Sequence, residues 1–162
     1  MLTAARLREL LHYDKRTGAM TWIAPPKNHP RMLGKRAGSA RASRGKYYVR
    51  VKVDGGNYAL GRLAFLWVNG VWPTGEVDHK NGDSLDNRWN NLREATHTQN
   101  AWNRMDNPAR ALPMGVRALP GGRFQARITK NKVQHCLGTF DSAEQAKRAY
   151  EATRKQAYGD FA

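Results

Sequence analysis

A single cysteine, Cys136, stands among 162 residues. It cannot close an internal disulfide, and it excludes the Cys-x-x-Cys pairs of a structural zinc site. It reads as a small packed residue. Acids are scarce, with 13 Asp and Glu against 28 Lys and Arg, a formal charge of +15. A solvated surface alone does not need that imbalance, so a polyanionic partner is expected, nucleic acid ahead of a membrane surface. No apolar run approaches the ~20 residues of a spanning helix, and Met1-Leu2-Thr3 opens no secretory signal pattern. The expectation is a cytoplasmic protein that is not secreted and has no membrane partner. Five Trp, six Tyr and four Phe are enough to anchor small cores, and the length suits one medium domain or two small ones.

Residues 3–12 read as a short amphipathic helix, with Thr3 as N-cap and Leu7, Leu10 and Leu11 on one face. Tyr13 to Gly18 reads as a turn and Ala19 to Ile23 as a short strand. Pro25 to Arg44 reads as a loop that holds Lys27, Arg31, Lys35, Arg36, Arg41 and Arg44 with no acid between them. Such a stretch is either a solvated loop or one that tracks phosphates. Lys46 to Val53 alternates as a strand, Asp54-Gly55-Gly56-Asn57 is a hairpin turn, and the return strand starts at Tyr58. Arg62 to Asn69 reads as a core helix ended by Gly70.

The densest chemistry lies from Val77 to Asn103. An Asp78-His79 pair follows an apolar residue, then a loop with Asn81-Gly82 and Asp86-Asn87 as turn formers. Asn91-Leu92-Arg93 is strand-like, and a helical segment runs to about Arg104. The unit reads as strand, loop, strand, helix. It would gather Asp78, His79 and Asn100 around one cation. An isolated Asp-His pair is as readily a turn residue beside a packed histidine. The set together suits phosphodiester cleavage. A neutral imidazole takes a proton from water near pH 7, and a hard cation on carboxylate and amide oxygens polarises the phosphate.

This pattern resembles the HNH endonucleases, in particular the phage and intron-encoded homing type with Asn as third signature residue. The residues that carry it are Asp78-His79, Asn91 in Asn-Leu-Arg, and Asn100 in Gln-Asn-Ala-Trp-Asn, with Asn81-Gly82-Asp83 and Asp86-Asn87-Arg88 between them. The resemblance implies a ββα-metal unit at about 76–104 with N-terminal mixed α/β elements. It implies His79 as general base, Asp78 and Asn100 as metal ligands, and Asn91 as the brace that holds the loop and orients the histidine. Asn in place of His at the third position favours one divalent cation, Mg²⁺ before Mn²⁺, over zinc. His97 and Asn103 are neighbouring alternatives as ligands. Arg88 or Arg93 would bind phosphate. Several phage HNH proteins also begin with a similar helix, Tyr-Asp…Thr-Gly turn and Trp strand, here read as structural.

Residues 106–113 are polar with two prolines and read as a linker between an HNH domain at 1–105 and a module at 114–162. Both halves are net basic, since 18 basic and 9 acidic residues precede Pro108. In the second half, Val116-Arg117, Phe124 to Ile128 and Val133 to Phe140 read as strands with turns at Pro120-Gly121-Gly122 and Asn131-Lys132. Asp141 or Ser142 caps a helix that Gly159 ends. The result is an α+β chain whose second module is a small three-stranded antiparallel sheet on one helix. Gly115-Val116-Arg117, Phe124, Ala126-Arg127-Ile128, Leu137-Gly138-Thr139-Phe140, Ala143-Glu144, Ala146, Ala149-Tyr150 and Gly159 resemble the plant ethylene-response-factor (AP2-type) DNA-binding domain. The resemblance implies a sheet in the DNA major groove, with Arg117, Arg123, Arg127 and Lys130 as contacts. The plant domains have tryptophans where this chain has Gly121 and Cys136, so their target sequence does not transfer.

The combined expectation is a metal-dependent HNH endonuclease of homing or phage type. It would act on double-stranded DNA in a bacterial host, without an obligatory protein partner. One HNH unit cuts one strand, so a double-strand break would need two chains or two visits. The competing expectation is a non-catalytic, sequence-specific DNA-binding regulator built on the same two modules. An RNA-binding role is a third reading.

Overall fold

Thr3 starts the first helix as expected: its side-chain oxygen accepts from the Arg6 N–H and caps α1 (Ala4–Leu10). The helix stops sooner than the periodicity predicts. Leu11 takes an extended backbone and opens β1 (Leu11–Tyr13), which pairs antiparallel with β2 (Met20–Trp22). Ladder bonds to β2 and the burial of Leu11 and Tyr13 outweigh helix continuation there. The computed structural model describes residues 1–43, 46–103, 110–130 and 133–161, and of Lys46 only the backbone. Arg44, the expected helix end at Arg104, linker residues 106–109 and the turn at Asn131-Lys132 lie outside the described residues.

The basic stretch after Pro25 is more ordered than a loop. It holds a 3-10 turn at Pro30–Met32 and β3 (Ser39–Ser43), which pairs with β4 (Lys46–Val53). β3 is exposed along its length, so no apolar alternation announces it; its order comes from the partner strand. β5 (Gly56–Ala59) completes the antiparallel order β3-β4-β5. Val51 and Val53 of β4 face the core, while Arg50 and Lys52 alternate outward with Arg41 and Ser39 of β3. α2 (Leu60–Asn69) follows and ends at Gly70 in the left-handed conformation. Its Leu60, Leu63, Ala64, Phe65 and Leu66 pack with Leu7, Leu11, Tyr13, Met20, Trp22 and Val51 in one core.

β6 (Glu76–His79) and β7 (Leu92–Ala95) form a separate antiparallel pair, and α3 (His97–Trp102) comes next. Chain contacts divide the molecule into a unit at Met1–His97 and a unit at Thr98–Ala162, so all of α3 after its first residue groups with the second.

In the second unit β8 (Val116–Ala118), β9 (Phe124–Lys130) and β10 (Val133–Phe140) form an antiparallel sheet in the order β10-β9-β8. α4 (Ala143–Tyr158) starts at Ser142, whose side chain accepts from the Gln145 N–H. Ala126 and Ile128 of the sheet and Ala146 and Tyr150 of α4 are the buried centre. Trp102 stacks on Tyr158 at 4.5 Å between ring centroids, and an Arg154 guanidinium N–H donates to the Trp102 carbonyl (2.6 Å). Small sheets and helices thus make a mixed α/β protein. No helix among the described residues is long and apolar enough to cross a membrane.

Candidate active site

β6 delivers Asp78 and His79 to one strand end. The register sets Asp78 opposite Arg93 and His79 opposite Leu92. Arg93 uses that proximity: its Nε and a terminal nitrogen lie 2.8 and 2.7 Å from Asp78 Oδ2. Both side chains are buried, at 6% and 10% exposure for Asp78 and Arg93, so the pair is shielded from water. Arg93, expected on a phosphate, is placed on Asp78.

The segment leading into β6 is fixed from α2. Arg62 donates to the carbonyls of Gly75 (2.8 Å) and Pro73 (3.1 Å). Glu94 on β7 accepts from the Gly75 N–H and the Thr74 hydroxyl.

A chain of short-range side-chain bonds shapes the loop between the strands. Asn81 Oδ1 accepts from the Asp83 N–H, Asp83 Oδ1 from the Leu85 N–H, and Asp86 Oδ1 from the Arg88 N–H. Asn and Asp support such turns because the side chain accepts from the backbone two residues on. Gly82 supplies a φ of 72°. Asn91 ties the loop shut. Its amide nitrogen donates to Asn81 Oδ1 (3.0 Å) and the Asp86 carbonyl (2.7 Å), and its amide oxygen accepts from the Asn81 N–H (3.1 Å). The Ser84 hydroxyl reaches the Tyr47 carbonyl at 2.5 Å, which joins the loop to β4. The Arg88 guanidinium grips Asp86 (2.8 and 2.6 Å) and holds that carboxyl down to a pKa of about 2. Arg88, also expected on phosphate, is therefore engaged within the loop, though its side chain stays half exposed.

His79 is 9% exposed. Burial disfavours the charged imidazolium and lowers its pKa from the ordinary 6.5. The ring is neutral at physiological pH, as a proton acceptor must be. Its Nε2 lies 3.3 Å from Oδ1 of Asn87, a residue 4% exposed. Asn87 reads in the sequence only as a turn former; the signal that could have marked it is its place in Asp86-Asn87-Arg88, between the histidine and Asn91.

Asn100 is half-buried on α3 in the second unit. Of its alternatives, Asn103 is buried, while His97 is outward, 90% exposed, with Nδ1 2.9 Å from Glu76 Oε1. Among the described residues no group of three or more His, Cys, Asp and Glu side chains is set to hold a metal. The donors expected for a cation, the Asp78 carboxylate of the first unit and the Asn100 amide of the second, are hard oxygens. They fit a magnesium-type cation and not a soft one, and Arg93 competes for Asp78.

The sheet of the second unit presents a polar outer face. Ala126 and Ile128 point inward, so Gln125, Arg127 and Thr129 alternate outward. Arg117 lies opposite Gln125 and donates to its Oε1 (2.9 Å), and Arg127 donates to Gln134 Oε1 (3.2 Å). Cys136 pairs opposite Arg127 and is exposed, not packed as its residue type suggests. Its strand parity decides that, and its sulfur accepts from Gln125 Nε2 at 3.1 Å. Arg123, before β9, meets Asp141 at 3.3 Å. Lys130 shares the parity of Ile128 and is exposed at the strand end. In the first unit, Arg36, Arg41, Arg50 and Lys52 border an open cavity of about 580 Å³.

An uncharacterized HNH endonuclease of Acanthamoeba polyphaga mimivirus is 31% identical over 120 residues, covering 73% of this chain and 63% of that protein. An ethylene-responsive transcription factor of Arabidopsis thaliana is 48% identical over 48 residues, and one of Nicotiana tabacum 51% over 47. Each plant match covers 28% of this chain, and 19% and 21% of the respective factors. The chain thus spans less than two thirds of each of these relatives. No solved structure matches it. Residues 58–102, which hold Asp78, His79, Asn87, Asn91 and Asn100, match the family described as HNH endonuclease.

Proposed function

We propose that the protein is a metal-dependent HNH endonuclease that hydrolyses a phosphodiester bond in double-stranded DNA, of the homing type carried by viruses and mobile elements. The observation that carries this reading is His79, neutral and buried beside Asp78 within the segment that matches the HNH family. His79 takes the proton of the attacking water. Asp78 and Asn100 would hold the divalent cation, Mg²⁺ before Mn²⁺, which when bound neutralises charge at the scissile phosphate. Asn91 keeps the loop closed around the histidine. Arg93 holds Asp78 and compensates its charge until a cation is present.

DNA is gripped by both units on this reading. The outer face of the β8–β10 sheet, with Arg117 and Arg127, is the base-reading surface, and the relatives named as transcription factors favour that assignment. Arg123 and Lys130 flank it. The basic face of β3 and β4 extends the grip along phosphates. The enzyme would act in the cytoplasm. One HNH unit per chain predicts a nick.

Plasmid cleavage by the full chain with and without Mg²⁺ tests the proposal, with His79→Ala beside it. The expected result is metal-dependent open-circle product that the variant loses, consistent with the ~10²–10⁴ that a positioned base supplies, while gel-shift affinity stays within twofold. Retarded but uncut DNA across a randomised target library would favour a DNA-binding regulator instead.

A further inference from the structure

The hydrogen bonds around Asn87 fix which nitrogen of His79 is basic. The Asn87 amide nitrogen donates to the Leu85 carbonyl at 3.0 Å. A carbonyl only accepts, so the amide cannot turn over without setting oxygen against oxygen. That orientation aims Oδ1 at His79 Nε2, 3.3 Å away, the long end of a hydrogen bond. Oδ1 has no proton to give, so Nε2 must carry one. In a neutral imidazole the lone pair is then on Nδ1.

Asn87 is itself held from a distant part of the chain. The buried Tyr13 hydroxyl donates to its carbonyl at 2.6 Å, across 74 positions of sequence. The neighbouring turn presses on the same peptide. Gly18 has φ of 72°, and a Cβ there would come within 2.4 Å of the Asn87 carbonyl carbon and 2.5 Å of the Arg88 nitrogen. The Trp89 N–H donates to the Lys15 carbonyl at 2.9 Å. On the other side, α2 passes close enough that a Cβ on Gly61 would touch Asn87 Oδ1 at 3.4 Å.

We propose that Asn87 is a positioning residue that fixes the Nε2–H tautomer of His79, making Nδ1 the atom that accepts the proton from water, and that the Tyr13–Gly18 turn exists to hold Asn87 in place. This rests on the reading of His79 as general base. In the reaction the water O–H bond breaks and its proton goes to Nδ1; the water oxygen bonds to phosphorus as the phosphorus–oxygen ester bond breaks, and the leaving oxygen takes a proton from solvent water.

The test uses full-length protein with ¹⁵N-labelled histidine and long-range ¹H–¹⁵N correlation of the ring nitrogens, the His79 signals being assigned from His79→Gln. The wild type is expected to show a single tautomer protonated at Nε2. Asn87→Ala is expected to move His79 toward the averaged mixture of a solvated imidazole, and Asn87→Asp, which keeps an acceptor, to hold the wild-type tautomer. In cleavage assays Asn87→Ala should lower kcat about 10- to 100-fold, part of what a positioned base supplies, with KM for DNA unchanged. Asn87→Asp should recover part of that loss. Tyr13→Phe, which removes one hydroxyl, should lower kcat several-fold and perturb the His79 signals if Asn87→Ala does not fold. A wild-type His79 protonated at Nδ1, or an Asn87→Ala spectrum equal to wild type, overturns the proposal. A Tyr13→Phe enzyme equal to wild type in kcat and ring signals removes the turn from it. Absence of cleavage by the wild type would sink the nuclease reading, while the spectra would still decide the tautomer.

Discussion

At the scale of single residues, the site depends on what burial does to charge. His79 gives up solvation and is held neutral, with its pKa lowered. Cleavage should therefore stay level as pH falls toward 6.5 and decline only below it. A pH–rate profile at saturating Mg²⁺ checks this, and an acid limb centred above 6.5 would contradict it. The sign for stability follows from the same shift. The unfolded chain protonates this histidine first, so its contribution to folding is complete above about pH 6.5 and is lost as pH falls toward the depressed folded value. Asp78 is the opposite case, a charge tolerated inside because Arg93 meets it at 2.7 Å. Asp78→Asn removes the carboxylate charge that faces the Arg93 guanidinium at 2.7 Å. It should cost about 3 kcal/mol of stability in urea unfolding as well as cleavage, whereas His79→Ala should lose cleavage with a smaller change in stability.

At the scale of elements, the β1–β2 hairpin turn shows how a local motif acquires a distant purpose. Asp14 accepts from the N–H of Arg16 and Thr17 and from the Thr17 hydroxyl, and the Gly18 N–H returns to the Asp14 carbonyl. Those bonds explain Tyr-Asp…Thr-Gly as a turn, and that much is readable in the sequence. Its contact with Asn87 is not, because nothing in either stretch encodes the other's position. Gly18→Ala should destabilise by about 2 kcal/mol or more, from the left-handed backbone and the clash with the Asn87 peptide together. Thermal unfolding measures this, and a loss under 0.5 kcal/mol, well short of the ~2 expected, would mean the turn moves aside freely. β3 makes the complementary point. Its residues carry no apolar alternation, and it is a strand because β4 offers a ladder.

At the scale of the whole molecule, charge is the organising quantity. The +15 balance is spread over both units, and the cations lie on two sheet faces, Arg41, Arg50 and Lys52 on one and Arg117 and Arg127 on the other. Binding through phosphates releases counterions in proportion to the contacts made. Arg50→Ala should weaken DNA binding about equally for all sequences and reduce the salt slope by about 1. Arg127→Ala should lower affinity for a preferred site by ~1–3 kcal/mol with little effect on random DNA. Titrations across salt concentrations separate the two, and equal losses on both DNAs for Arg127→Ala would make that sheet a phosphate contact as well.

The order and kind of most elements and the turn chemistry of the loop after His79 are determined by sequence, because alternation, caps and Asn/Asp turns act over a few residues. Tertiary structure alone decided that Leu11 leaves its helix, that Cys136 faces outward, that Arg93 meets Asp78, and that Asn87 lies against His79. These outcomes depend on strand register and on contacts between distant segments, which fixed spacing along a chain does not specify.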